Sequence, residues 1–205
     1  MRRRQSVLPG IDGVTIPDFG WERTRATHEI VEWRESGGEV SLNYFPHPPD
    51  LTRPVGDDKA LWRRFAKSSD DSSAVMEARW IDLDGVSAVE VMMKARVSET
   101  RMTYAASIAI PFRDFSWVVW MQFVDLEGTG AREAIAFDAH LAKHGVDGRD
   151  AWGPDEVGVR VLPSDDPRWD EFVPRHPLSR LRAMKATIKD TIIVSAAARD
   201  QPAYR

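Results

Sequence analysis

From Val31 to Val124 the chain is dominated by apolar positions that recur every second residue, and three shorter stretches carry a helical period instead. Val31 and Trp33, then Val40, Leu42 and Tyr44, alternate with polar neighbours on either side of Ser36-Gly37-Gly38. This predicts a β-hairpin, which Pro46-His47-Pro48-Pro49 ends because proline has no N–H to donate to a ladder. Two more strands flank Asp84-Gly85, a dipeptide suited to a two-residue type I′ turn. That turn sets Trp80 opposite Val89, Ala78 opposite Val91 and Met76 opposite Met93, all on one face. The other face carries Val75, Glu77, Arg79 and Ile81 against Ala88, Glu90, Met92 and Lys94. Arg79 then lies across from Glu90 and Glu77 diagonal to Lys94, pairs that stabilise a sheet by about 0.2–1 kcal/mol each.

Tyr104, Ala106, Ile108 and Ile110 share one face of a further strand, and Pro111 to Ser116 forms a turn. From Trp117 to Val124 both faces are apolar apart from Gln122, which predicts a central strand covered on both sides. Helices are expected in three places. Asp57 or Asp58 caps the first, with Leu61, Trp62 and Phe65 as its apolar side. The second opens at Glu127-Gly128-Thr129-Gly130, carries Ala134, Ile135, Phe137 and Leu141 as apolar positions, and ends near Gly145. The third has Pro177 in its first turn and a stripe of Leu178, Leu181, Met184, Ile188 and Ile192, with Arg180, Arg182, Lys185 and Lys189 mostly off it. Residues 146–175, rich in Asp, Gly, Pro and Trp, read as irregular. Consecutive strands with short turns make the expected fold class α+β, an antiparallel β-sheet with helices on both faces. The expected organisation is an N-terminal arm at 1–18, a single sandwich domain at 19–194 and a C-terminal tail at 195–205.

Composition narrows the function classes. The 205 residues are 42% hydrophobic and 29% charged, the profile of a chain able to bury a sizeable core. The formal charge of −4 provides no basic field, so no nucleic acid is expected as partner. Absence of cysteine removes disulfides, thiolate metal ligands and a cysteine nucleophile. After Met1-Arg2-Arg3-Arg4 no apolar signal region follows, and no window approaches the roughly 20 apolar residues of a membrane span. A cytoplasmic protein is the expectation.

Five phrases carry a resemblance: Ser41-Leu42-Asn43-Tyr44-Phe45, Met102-Thr103-Tyr104, Pro111-Phe112-Arg113-Asp114-Phe115-Ser116, Thr129-Gly130-Ala131-Arg132-Glu133 and His176-Pro177-Leu178-Ser179-Arg180. They resemble an uncharacterised actinobacterial-type family over roughly residues 19–193. The element order resembles the PsbP-like α/β/α sandwich, a fold shared by a photosystem extrinsic protein, a Ran-binding nuclear import factor and bacterial Eag chaperones. The resemblance implies a binding or assembly role more than an enzymatic one.

Candidate chemistry is sparse. Gly128, Thr129 and Gly130 precede a helix, with Arg132 close behind, so free N–H groups and a guanidinium could hold an anion; Thr129 as a simple N-cap explains the same residues. His140 and His144 have helical i, i+4 spacing, with Glu133 two turns away, but lack the glutamate of a zinc-protease motif. Asp147, Asp150, Asp155 and Glu156 read as solvated loop acids. No Gly-x-Ser-x-Gly elbow occurs, and His28 and His47 near the first hairpin fit structural or exposed roles. Trp152 and Trp169 are expected to pin the long loop. No catalytic residue, metal ligand or cofactor is therefore assigned. The expected function is a protein-binding or assembly module, an adaptor or secretion-associated chaperone, with the Glu77, Arg79, Glu90 and Lys94 face as partner surface. The alternative is a small-molecule-binding domain or enzyme with a pocket near 146–175, using Arg132 and a histidine.

Overall fold

A computed structural model describes residues 9–51, 56–98, 101–126, 130–144 and 159–204. The strands are β1 (Val14–Thr15), β2 (Glu22–Ala26), β3 (Ile30–Glu35), β4 (Gly38–Phe45), β5 (Ser73–Leu83), β6 (Val86–Ser98), β7 (Arg101–Pro111), β8 (Ser116–Val124) and β9 (Ile193–Val194). The helices are α1 (Asp58–Lys67), α2 (Ala131–His144), α3 (Pro177–Thr191) and α4 (Ala196–Arg199). Seven strands form one antiparallel sheet in the order β2-β3-β4-β8-β7-β6-β5, and β1 pairs with β9 in a separate ribbon. Helix α1 lies on one face and α3 on the other, so the fold class is the α+β sandwich that the alternating pattern implies.

The turn at Asp84-Gly85 has both residues in the left-handed region, φ 52° and 79°, the signature of type I′. Trp80 faces Val89, Ala78 faces Val91 and Arg79 faces Glu90. Beyond Glu77 a bulge shifts the ladder, and Val75 rather than Met76 faces Met93. The extra residue turns Met76 toward the larger core and lets Val75 fill the layer beneath α1, beside Leu61, Ala78, Val89 and Val91.

Strand β8 is fourth of the seven, as its doubly apolar pattern requires. Trp117, Val119, Met121 and Phe123 are buried toward α3, whereas Val118, Trp120, Gln122 and Val124 are half-buried. Length explains the difference. A ten-residue helix is about 15 Å long, while seven strands span roughly 29 Å, so α1 closes the β5 side and reaches no farther than Val118. Within α1, Asp57 accepts a hydrogen bond from Ala60 N at 2.9 Å as N-cap. Leu61 is buried, but Trp62 points outward and is 46% exposed.

Two further expectations are corrected, and one strand has no counterpart in the sequence pattern. On α2 the buried positions are Arg132 and Ala136, one turn apart, while Ala134 and Ile135 face out; the helix is rotated because the Arg132 guanidinium is drawn inside. Strand β2, with sequence ERTRA, is exposed throughout and has no apolar period to announce it; its charges suit a sheet edge. Residues 9–18 and 195–204, expected as the end of an arm and as a tail, are packed as parts of the domain, and the remainder of both segments lies outside the described residues. Ile11, Val14 and Ile16 join the core, Val14 pairs with Val194, and Ser195 N donates to Gly13 O at 2.9 Å. Farther on, Ala203 bridges to Phe112, and the Tyr204 ring stacks on Trp80 at 6.5 Å.

Gly13 sits under the Trp117 indole, where a Cβ would lie 2.3 Å from a ring carbon; at Gly10 a Cβ meets nothing within 4 Å. Gly13→Ala should lower stability by about 1–3 kcal/mol, the cost of overpacking a closed core. Gly10→Ala should change it by less than about 0.5 kcal/mol. Urea unfolding followed by tryptophan fluorescence checks this, and equal midpoints for the two variants would refute the packing.

Candidate functional site

The expected partner surface at Glu77, Arg79, Glu90 and Lys94 is corrected: α3 and the turn at 163–165 cover it. Glu90 is 0% exposed and Lys94 4%. Arg79 donates to Glu90 Oε1 through Nε at 2.9 Å and Nη2 at 2.6 Å. Lys185 reaches down from α3 to Glu77 Oε2 at 2.8 Å and Glu90 Oε1 at 3.1 Å, and Lys189 lies 3.0 Å from Glu90 Oε2. Lys94 Nζ donates to Asp165 Oδ2 at 2.5 Å. Burial alone would push the Glu90 carboxyl up; Lys189, Lys185 and Arg79 outweigh it and hold the group down at about 2. Glu90 and Lys94 are therefore parts of an internal joint, with Glu77 half-buried and Arg79 exposed at its margin.

A concavity among the described residues lies at one end of the same layer. The β3–β4 turn (Ser36, Gly37), the residues after β8 (Asp125, Leu126), the start of α2 and the segment 172–177 enclose a cleft of about 490 Å³. Its frame is rigid for identifiable reasons. Arg132, 0% exposed, donates through Nε to Ser164 O at 2.6 Å, Nη1 to Ser179 Oγ at 2.8 Å and Nη2 to Asp166 O at 2.9 Å. Its Nη1 also lies 2.8 Å from Asp170, which Arg182 approaches to 3.1 Å. Trp169 pins the segment, its Nε1 donating to Pro163 O at 3.0 Å. On the opposite wall Arg180 pairs with the Glu35 carboxylate, donates to Ser36 O at 3.2 Å and lies over the Phe123 ring.

His176 caps α3: its Nδ1 accepts from Leu178 N at 3.2 Å, so the ring proton belongs on Nε2. The ring meets the edge of Tyr104 at 5.4 Å. Burial, then the Arg132 charge, lower its pKa to about 4 and keep it neutral near pH 7. Between these held groups the cleft presents apolar surface, with Phe172 60% and Leu126 53% exposed.

Of the residues expected to bind an anion, Gly128 and Thr129 lie outside the described residues. Gly130, at φ 59°, accepts from Ala134 N at 2.9 Å at the start of α2. Arg132 lines the cleft, yet each of its three nitrogens donates within the chain. His140 is half-buried on α2, and the His144 side chain, Asp147, Asp150, Trp152, Asp155 and Glu156 lie outside the described residues. Among the described residues no three His, Cys, Asp or Glu side chains gather as metal ligands. His28 and His47 are exposed. Leu126, Phe172, Arg175 and His176 are cleft residues that the sequence reading misses. One signal was available: Pro177 in a first helical turn makes the preceding residue the N-cap, but histidine is an uncommon cap.

No family model matches the chain, and no curated protein matches it. Among solved structures it is similar to cyanobacterial PsbP (CyanoP) from Synechocystis, with 19% identity, 64% of this chain and 85% of that chain covered, and a TM-score of 0.36. It is also similar to a protein of unknown function from Pseudomonas aeruginosa, with 16% identity, 60% and 84% covered, and a TM-score of 0.36. Among the described residues no helix is long and apolar enough to cross a membrane.

Two acid responses should separate by pH. Folding lowers the Glu90 pKa, so its stabilisation, roughly 3 kcal/mol, is complete above about 4.5 and is lost as pH falls toward about 2. Glu90→Gln should cost roughly 3–5 kcal/mol at pH 7 and flatten the denaturant midpoint across that window; a midpoint equal to wild type at pH 7 would remove the joint from the account. Folding also lowers the His176 pKa, so the unfolded chain takes up its proton first and stability falls as pH drops from about 6.5 to about 4. His176→Asn retains an N-cap acceptor and should abolish that earlier decline; an imidazole NMR signal of the folded wild type that titrates near pH 6.5 and is absent from His176→Asn would contradict it.

Proposed function

We propose that this protein is a binding module and that the cleft between the β3–β4 turn and the 172–177 segment receives a segment of a partner protein. The observation that carries the reading is Phe172 and Leu126, two widely exposed apolar side chains, sharing one cleft whose surrounding walls are fixed by internal hydrogen bonds. Exposed apolar surface on a held frame favours docking, because little ordering cost remains at association. The use of Arg132 and the His176 Nδ1 in local structure supports binding over acid–base chemistry. An adaptor or chaperone role and a cytoplasmic setting belong to the same proposal; a chain without cysteine suits a reducing compartment.

A second reading has one observation in its favour: about 490 Å³ falls within the roughly 300–1,000 Å³ of small-ligand sites. A phage-displayed peptide library panned on the protein tests both. Peptides should enrich on wild type and be lost on the Leu126→Asp/Phe172→Asp variant, which changes two exposed positions and should fold normally. If no peptide depends on these residues, the partner-segment reading fails. Apolar carboxylic acids that then raise the melting temperature of wild type, and not of the variant, would establish the second.

A further inference from the structure

The lining of the cleft contains three arginines in unequal states. Arg132 is enclosed and spent on Ser164, Asp166, Ser179 and Asp170. Arg180 is engaged by Glu35 and Ser36 and rests on Phe123. Arg175 stands exposed between Pro174 and His176, with no ion pair or hydrogen bond among the described residues. The acid in the lining, Asp125, has an interaction of its own and forms no ion pair with Arg175. Among the described residues the cleft thus offers one uncommitted cation beside the apolar Phe172 and Leu126. A neutral His176, whose Nδ1 is already used, adds an Nε2–H donor in the same lining.

Resting on the binding reading above, we infer that the partner segment carries a carboxylate next to its apolar anchor, and that Arg175 is the residue that recognises it. Guanidinium and carboxylate match in geometry as well as charge, and a lysine in the same place would act as a point charge. The complementarity is directional. An apolar residue fills the space by Phe172 and Leu126, and an adjacent Asp, Glu or chain-terminal carboxylate meets Arg175. The preference is modest because Arg175 is solvent-exposed; an exposed pair of this kind changes affinity by roughly five-fold and weakens with salt.

The test uses library peptides that bind in a Phe172-dependent way, each synthesised with Asp or Glu at the position beside its apolar anchor and again with Asn or Gln there. Fluorescence anisotropy on wild type should show the acid form binding roughly five-fold more tightly, with the gap shrinking at high salt. Arg175→Gln should erase the gap and leave the amide form unchanged. Arg63→Gln, a charge change on α1 outside the cleft, should preserve the gap. Equal binding of acid and amide forms to wild type, or a gap that survives Arg175→Gln, overturns the inference while leaving the binding reading in place. Absence of any Phe172-dependent peptide overturns both.

Discussion

A carboxylate sealed between a sheet and a helix is stable only if cations reach it, and at Glu90 they arrive from two directions. Arg79 comes along the sheet from the neighbouring strand; Lys185 and Lys189 come down from α3, one helical turn apart. Taking these charges out of water carries a desolvation penalty that their attraction repays only when the geometry is good. The joint is therefore best understood as a registration device. Sliding α3 by one turn would leave Glu90 and its partners buried and mismatched, an error far costlier than a poor apolar contact. Lys94 and Asp165 impose the same condition on the segment that leads into α3.

That registration sets the cleft. Once α3 is fixed, His176 and Arg180 are fixed at its amino end, and Asp170 and Ser179 are positioned to receive Arg132 from α2. The β3–β4 turn is tied in by Arg180, so the walls come from parts of the chain that share no local pattern. At the far end of the molecule a different tether operates. Asp84, in the strained left-handed turn, accepts from Val194 N at 2.8 Å and pairs with Arg199. The hairpin tip thereby holds the closing β1–β9 ribbon, whose Val14 and Val194 are buried in the core.

The local rules were legible where one short stretch contained the whole instruction. Asp84-Gly85 carries its own turn geometry, and the period of two around it fixed the register until the bulge at Met76. Leu178, Leu181 and Ile188 on α3 were legible because they repeat at helical spacing and all become buried. The charged positions were not, because alternation treats Glu90 and Lys94 as the solvent side of a strand. Their cover comes from residues about a hundred positions away, and nothing local to β6 announces Lys185 or Asp165. The same limit applies to α2, where the helix turns its Ala134 and Ile135 outward so that one arginine can satisfy carbonyls thirty residues on.

This division bears on how the molecule can work. Among the described residues the buried Arg132 is committed to holding the frame, while Phe172, Leu126 and Arg175 are the exposed side chains of the lining. Groups used for registration cannot change partners without loosening α3, which makes the frame a poor place for chemistry that needs charges to move. A fixed frame with a few free side chains is suited instead to selecting a shape and a charge. Arg175, without an ion pair among the described residues, sits on the segment that Trp169 and Arg132 pin in place, beside the apolar surface of the cleft. Specificity at this site would then rest on the spacing between an apolar group and an acid, more than on the strength of either contact alone.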